Sequence, residues 1–423
     1  MAVPVTGRPA VRTGGFMTAM VVDALGSGVW ITFSLLYFTY GRGMALTTAG
    51  AALSTGSLAA LAVGGLAVGV LTDRMGPFRA ATLSCAIRTV AFPCYLAADG
   101  PAAVAVIAFA VSFGDRLYWA AHGGLVDSVT SADQEQRGLF ALLNSLRNVG
   151  LGVGALAVAL GASLEEHGGG LLWNSIPLAN AASFAVAGIL FRYAGRGVPA
   201  GRGEAGTGPP ASYRRVFADR RFLAFTGATL AITLSSVAFD SILPVYLRSL
   251  GMPLWMPPVA YVLSCVAIPA FQPLALRLGR ERPAMRLMAL AAVLIAAALA
   301  GLVVLGRLSA AGATAAVAVL VLLFSLGEAV FGAVAMTLVL SFASAADSGR
   351  YSAFYQLAWG LSGALGPGLH TLLFSVSGGT PWLVMACALL MAAAVYTALA
   401  RAPHTEKAPG VRSGTPVGRK GRR

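Results

Sequence analysis

Seven ionisable side chains, Asp23, Arg88, Asp115, Arg116, Arg147, Asp240 and Glu328, stand inside runs of apolar residues long enough to cross a bilayer. A charge at the centre of a lipid-facing helix costs at least about 2.5 to 3.5 kcal/mol, so these groups must face one another or a wet cavity. Two kinds of chemistry are open to them. A carboxyl group taken out of water holds its proton more tightly and can exchange it at neutral pH, whereas an acid paired with arginine stays ionised and only joins helices. Asp23 and Asp115 are the candidates to carry a coupling proton, with Arg116 and Arg147 as counter-charges. Asp240 and Glu328 are the candidates to sense a bound compound, and a permanently ionised pair such as Asp115 with Arg147 is the competing, structural reading.

Helical spacing lines further polar and aromatic residues up with the acids. One face carries Asp23, Ser27, Trp30, Ser34 and Tyr37; a second, Asp115, Trp119 and His122; a third, Thr233, Ser236 and Asp240; a fourth, Tyr355, Trp359, Ser362, Gly366 and His370. Such faces suit a bulky, partly aromatic guest, cations included, through stacking and cation-π contact. The candidates to line its cavity are Trp30, Trp119, His122, Ser236, Asp240, Glu328, Tyr355, Gln356 and Trp359. Tyr37 reads first as an anchor at the membrane–water boundary, and His122 as a hydrogen-bonded packing residue rather than a proton relay.

The elements that position these residues follow from composition. Of 423 residues 57% are apolar and only 11% charged, with mean hydropathy +0.77, which fits neither a soluble domain nor a disordered chain. Twelve apolar blocks, each about the 20 residues a bilayer requires, fall near 16–39, 46–71, 80–98, 101–126, 138–163, 171–193, 222–247, 254–276, 284–306, 311–341, 351–376 and 381–400. They lack the two-residue alternation of barrel strands, so the expected fold is an all-α integral membrane bundle of twelve transmembrane helices. At 1.5 Å per residue, Asp23 lies about 10 Å into its helix, and Asp115 and Glu328 near the midplane.

The net charge of +14 is mostly an orientation signal. Of 30 Lys and Arg, 24 lie in the breaks on one side, three (Arg42, Arg248, Arg307) on the other, and three within spans. Both termini are therefore expected in the cytoplasm, with the protein multi-pass in the cell membrane, attracted to lipid and not to nucleic acid. Residues 195–213, rich in Gly and Pro, read as a flexible cytoplasmic linker between six-helix bundles at 1–194 and 214–401, and 402–423 as a basic disordered tail. Cys85, Cys94, Cys265 and Cys387 sit inside apolar blocks without paired spacing, so free buried thiols are expected, with no metal site and no cofactor.

The two bundles repeat. Shifted by 213 residues, Ser112-Phe113-Gly114-Asp115 meets Ser325-Leu326-Gly327-Glu328, Arg137 meets Arg350 and Gly150 meets Gly363; at 203, Arg74 to Arg79 meets Arg277 to Arg282. Between helices 2 and 3, Gly69-Val70-Leu71-Thr72-Asp73-Arg74-Met75-Gly76-Pro77-Phe78-Arg79 resembles motif A of the major facilitator superfamily, G-x-x-x-D-R-x-G-x-x-R, and the resemblance covers roughly residues 14–400. It implies two pseudo-symmetric bundles around a cavity lined by helices 1, 4, 7 and 10, with 2, 5, 8 and 11 at its sides; the first four of these eight hold all four intramembrane acids. It also implies a cytoplasmic gate motif, Gly69, Asp73, Arg74, Gly76 and Arg79, latching the halves in the outward-facing state.

Drug:proton antiporters of that superfamily carry a glycine motif in helix 5 ending in Gly-Pro. Here Gly150, Gly152 and Gly154 are kept and Ala155 replaces the proline, while Gly363, Gly366 and Pro367 carry the pair in helix 11; close helix packing accounts for these glycines equally well. The chain shows no phosphate loop, zinc-protease motif or nucleophile elbow, which argues against an enzyme. The overall expectation is a monomeric secondary transporter resembling actinobacterial drug and metabolite exporters, coupling protons to efflux of a hydrophobic small-molecule substrate; proton- or gradient-driven nutrient uptake is the alternative.

Overall fold

The computed structural model describes residues 13–128, 133–165, 172–196, 213–343 and 347–401. Among them every regular element is helical, as a chain in lipid demands of its backbone hydrogen bonds. The long helices are α1 (Thr13–Ile31), α2 (Leu46–Met75), α3 (Pro77–Cys94), α4 (Pro101–Asp127), α5 (Asp133–Glu165), α6 (Leu172–Ala194), α7 (Arg220–Ser241), α8 (Met256–Glu281), α9 (Ala284–Leu302), α10 (Ala310–Phe342), α11 (Ser348–Val376) and α12 (Thr380–Arg401). Eleven are apolar enough to cross a bilayer on composition; α11 is equally long but carries Gln356, Ser362, His370 and Thr371.

Two spans end earlier than the apolar pattern suggests. The first stops at Ile31, where Thr32 Oγ1 turns back onto the Gly28 carbonyl at 3.2 Å, and the chain continues as a short turn and a wide π turn over Tyr37–Gly41. The seventh stops at Ser241 because Pro244 cannot join the helical ladder, and resumes as Leu243–Ser249. Between α2 and α3 the chain reverses at Gly76, whose φ of +80° and ψ of 158° suit only glycine, and Pro77 starts the next helix where its missing N–H is no loss. The linker is described only at its ends, and 402–423 lie outside the described residues.

Packing repeats across the chain. Helix α1 lies on α5 and α6, α2 on α4, and α3 on α4 and α6; α7 lies on α11 and α12, α8 on α10, and α9 on α10 and α12. Equivalent seams carry equivalent bonds: Ser57 to Ser112 at 2.8 Å between α2 and α4, and Ser325 to Ser264 at 3.0 Å between α10 and α8. The halves meet along α2 with α11 and α5 with α8.

The ring contacts of Phe16 with Phe78 (6.2 Å) and Phe191 (6.4 Å) put the starts of α1 and α3 and the end of α6 on one face, here termed the terminal face. The Arg221 guanidinium donates to the Leu399 carbonyl at 3.1 Å, bringing the start of α7 beside the end of α12 on that face. Contacts between halves cluster away from it. Gly50 lies against Pro367 and Thr371, Ser54 against Leu365 and Gly368, and Gly152 against Cys265. Arg116 to Gly360 adds a bond between the halves nearer the terminal face, and the described halves are sealed on the opposite face and part toward the terminal one.

Two of the four thiols depart from expectation: Cys85 and Cys265 are buried, but Cys94 and Cys387 are exposed on the outer surface of their helices. Apolar sequence context cannot tell a lipid-facing position from a packed one, since both favour the same residues. Among the described residues there is no cluster of ligand side chains suited to a metal.

Candidate functional site

The acids do not share one environment. Asp23 of α1 is buried inside the first half, where Arg88 of α3 donates from Nη2 to Asp23 Oδ1 at 2.6 Å and to Ser84 Oγ at 3.1 Å; only 8% of the Asp23 and 3% of the Arg88 side chain is exposed. The guanidinium also lies 4.0 Å over the Phe184 ring and 5.6 Å from that of Tyr118. Gly114 makes this possible, because a β-carbon there would stand 3.0 Å from Arg88 Cγ. Sequence reasoning counted Arg88 among the intramembrane charges but gave it no role, and offered Arg116 and Arg147 as the counter-charges. The available signal was that Ser84, Cys85 and Arg88 share one face of α3 at spacings of three and four residues.

Arg116 instead reaches across to α11, donating from Nη2 to the Gly360 carbonyl at 3.3 Å. Arg147 of α5 lies over the Trp119 ring at 5.1 Å, and among the described residues no carboxylate is in ion-pair contact with it. The expected alternative of an Asp115–Arg147 pair is therefore not what forms. Asp115 is exposed in the gap, within electrostatic reach of Arg88, Arg147 and Arg116, and Arg147 is in turn within reach of Asp240 in the other half. His122 is half-buried beside Trp119 and Tyr118, with ring centroids 5.2 and 5.8 Å away.

In the second half, Ser236 of α7 donates to Glu328 Oε1 of α10 at 2.7 Å, and Asp240 stands one turn along the same face of α7. Trp359 is 36% exposed, 6.2 Å from the Phe331 ring, and Gln356 is exposed. Three expected aromatics sit elsewhere. Trp30 packs into a cluster with Tyr37, Phe38, Phe92 and Tyr95, stacked on Tyr95 at 5.1 Å, on the sealed side. Tyr37 is wholly buried there and donates to the Tyr95 carbonyl at 3.2 Å, so it is no interfacial anchor. Tyr355 is buried against Phe225 rather than open to the gap. Aromatic–aromatic packing outcompeted solvent for these rings, which helical spacing alone cannot foresee.

The sequence pattern of the Major Facilitator Superfamily matches residues 15–316, most of the chain. The chain belongs to this superfamily. Solved structures agree on the fold at low identity. The nucleoside transporter NupG has a TM-score of 0.66 at 14% identity, covering 92% of this chain and 99% of that one. A peptide transporter POT bound to sulfate has 0.69 at 16%, covering 92% and 94%. A bacterial homologue of the human drug peptide transporters PepT1 and PepT2 has 0.69 at 15%, covering 92% and 98%. A search of curated proteins found no match.

In this facilitator Arg74 and Arg79 of the motif between α2 and α3 are exposed and form no ion pair among the described residues, Gly69 faces open space, and the side chain of Asp73 lies outside the described residues. The α5 glycines pack closely. A β-carbon on Gly150 or Gly154 would overlap the Val21 or Leu25 carbonyl of α1, and one on Gly152 would touch Cys265 of α8 at 3.4 Å. Gly366 is closed in by Val237, but Gly363 has nothing within 4 Å and packs against no helix, contrary to expectation.

The facilitator's halves differ sharply in charge. Along α1/α7, α4/α10 and α5/α11, at the constant offset of 213, Asp23, Ser27 and Asp115 correspond to Ser236, Asp240 and Glu328, and Arg116 and Arg147 correspond to Ala329 and Gly360. Gly114 packs on Ser84 and Arg88, and its counterpart Gly327 on Ala291 and Ile295, which places Ile295 where Arg88 stands. All three intramembrane arginines thus belong to the first half, and the second half holds two acids and neither arginine nor lysine at their depth.

Proposed function

We propose that this facilitator is a proton-coupled exporter of hydrophobic drugs or metabolites, working by alternating access with its terminal face toward the cytoplasm. The observation that carries the reading is the set Asp115, Asp240 and Glu328: acids in the gap between the halves, none of them in ion-pair contact with a basic group among the described residues. An acid without a fixed counter-ion can gain and lose a proton as the gap opens to one side and then the other. Asp23, held by Arg88, is a poorer carrier, and its amide is expected to disturb the fold before it disturbs coupling. The excess of Lys and Arg on the terminal face supports the orientation.

Alternating access follows from the two seams. The form seen here is sealed on the opposite face by α2 with α11 and α5 with α8; in the reverse form those seams part and the motif, whose Arg74 and Arg79 are exposed here, closes the terminal face. The direction of transport has a second reading, uptake, favoured by the nucleoside and peptide transporters among its structural neighbours. Inverted membrane vesicles challenged with a panel of lipophilic drugs and hydrophilic nutrients separate the two. Drug-dependent proton movement, lost in Asp240→Asn and Glu328→Gln, supports export; silence with drugs and proton movement with a nutrient supports uptake.

A further inference from the structure

We propose that the transported compound is a cation bound by Asp240 and Glu328, and that Arg147, a tethered guanidinium held on the Trp119 ring, competes with it for Asp240. This rests on the transport reading above and adds the charge of the cargo to it. The two repeats carry unequal charge at membrane depth. In the first half Asp23 is paired with Arg88 at 2.6 Å and Ser84 accepts a second bond from the same guanidinium, which leaves Arg116 and Arg147 with one further acid, Asp115. The second half has Glu328 bound only to a serine hydroxyl and Asp240 one turn away, while the positions equivalent to the three arginines are Ile295, Ala329 and Gly360. Two acids in a half that supplies no arginine or lysine at their depth stay ionised only with a positive charge from outside that half.

Arg147 supplies part of it, and incompletely. Its guanidinium rests on the Trp119 ring at 5.1 Å instead of on a carboxylate, and it lies within electrostatic reach of Asp115 in its own half and Asp240 in the other. A guanidinium held by an aromatic face within electrostatic reach of two acids is placed as an exchangeable counter-ion, because a cation-π contact is worth less than a desolvated ion pair. A cargo cation entering from the parted terminal face meets the same features: two carboxylates, and the exposed Trp119 and Trp359. Binding it to Asp240 and Glu328 leaves Arg147 to Asp115. A neutral compound cannot make this exchange, and an anion is repelled by both acids.

The test is equilibrium binding to purified full-length protein in lipid nanodiscs, without any gradient, using tetraphenylphosphonium and its anionic counterpart of the same shape, tetraphenylborate. The expected result is saturable binding of the cation alone, weakened about tenfold or more by Asp240→Asn and by Glu328→Gln. Arg147→Gln is expected to tighten cation binding by about threefold or more, as removal of a competitor requires, while Arg147→Lys keeps a tethered charge and stays near wild type. Monodisperse elution and unchanged thermal unfolding of each variant show that it is folded. Equal binding of the two probes, no saturable binding of either, cation binding indifferent to both acid variants, or weaker binding in Arg147→Gln would each overturn the proposal. Because no gradient is used, failure here leaves proton-coupled transport of uncharged compounds standing, and failure of proton coupling leaves the cation site standing.

Discussion

Removing the Ser54 hydroxyl should loosen the seal on the face opposite the termini. Ser54 of α2 crosses between the halves onto α11 beside Pro367: its Oγ accepts from the Gly368 N–H at 2.7 Å and donates to the Leu365 carbonyl at 3.3 Å. Pro367 has no N–H, so the α11 ladder is weakened where the serine inserts. Each such bond contributes about 0.5 to 1.5 kcal/mol net, so Ser54→Ala should cost the sealed form about 2 kcal/mol. The open form makes neither bond, and the ratio of sealed to open molecules should therefore fall about 30-fold, tenfold for each 1.4 kcal/mol. Spin labels on cysteines replacing Tyr40 and Trp255, exposed residues of the two halves on the sealed face, report that ratio by double electron–electron resonance in a background lacking the four native cysteines. The variant should populate a longer distance that wild type and Ser54→Thr do not. An unchanged distance distribution in Ser54→Ala would refute the assignment of these bonds to the gate.

Breaking the buried Asp23–Arg88 pair from either side, by Asp23→Asn or Arg88→Gln, should cost about 3 to 5 kcal/mol, because it strands a buried charge, and the double variant should recover much of the loss; thermal unfolding in detergent measures this, and singles as stable as wild type contradict it. Gly154→Ala should destabilise by about 1 to 3 kcal/mol by forcing α1 and α5 apart, whereas Gly363→Ala, with open space around it, should be neutral, and equal losses at both sites would discredit the packing assignment. Arg215→Gln should cost less than about 1 kcal/mol, since its ion pair with Asp347 is 78% exposed on the arginine side and Arg350 also holds that acid at 2.6 Å; a large loss of thermal stability would show that this reasoning undervalues the contact.

Much of the architecture could be read from the sequence because membrane helices announce themselves twice, in apolar length and in the placement of Arg. The boundaries slipped where the cause was local chemistry: a threonine turning back on its own helix at Thr32 and a proline at Pro244. The site was legible as a set of charges but not as a set of pairs. Periodicity says that Asp23 faces inward; it cannot say that Arg88, from a helix not counted among the cavity walls, arrives to meet it. The same limit explains Tyr37 and Tyr355, whose amphipathic rings suit an interface, a cavity or a core equally on one-dimensional evidence. The 213-residue repeat carried more than it first showed, because comparing equivalent positions exposes which half lacks counter-ions.

The central claim is that acids without ion-pair partners in the gap couple a proton to export. Proteoliposomes containing purified protein and a pH-sensitive dye, with tetraphenylphosphonium added against an imposed proton gradient, test it most directly. The account predicts proton efflux that follows cation uptake into the lumen, abolished in Asp240→Asn and Glu328→Gln and kept in Gly363→Ala. Proton movement of wild-type size in both amide variants would contradict it.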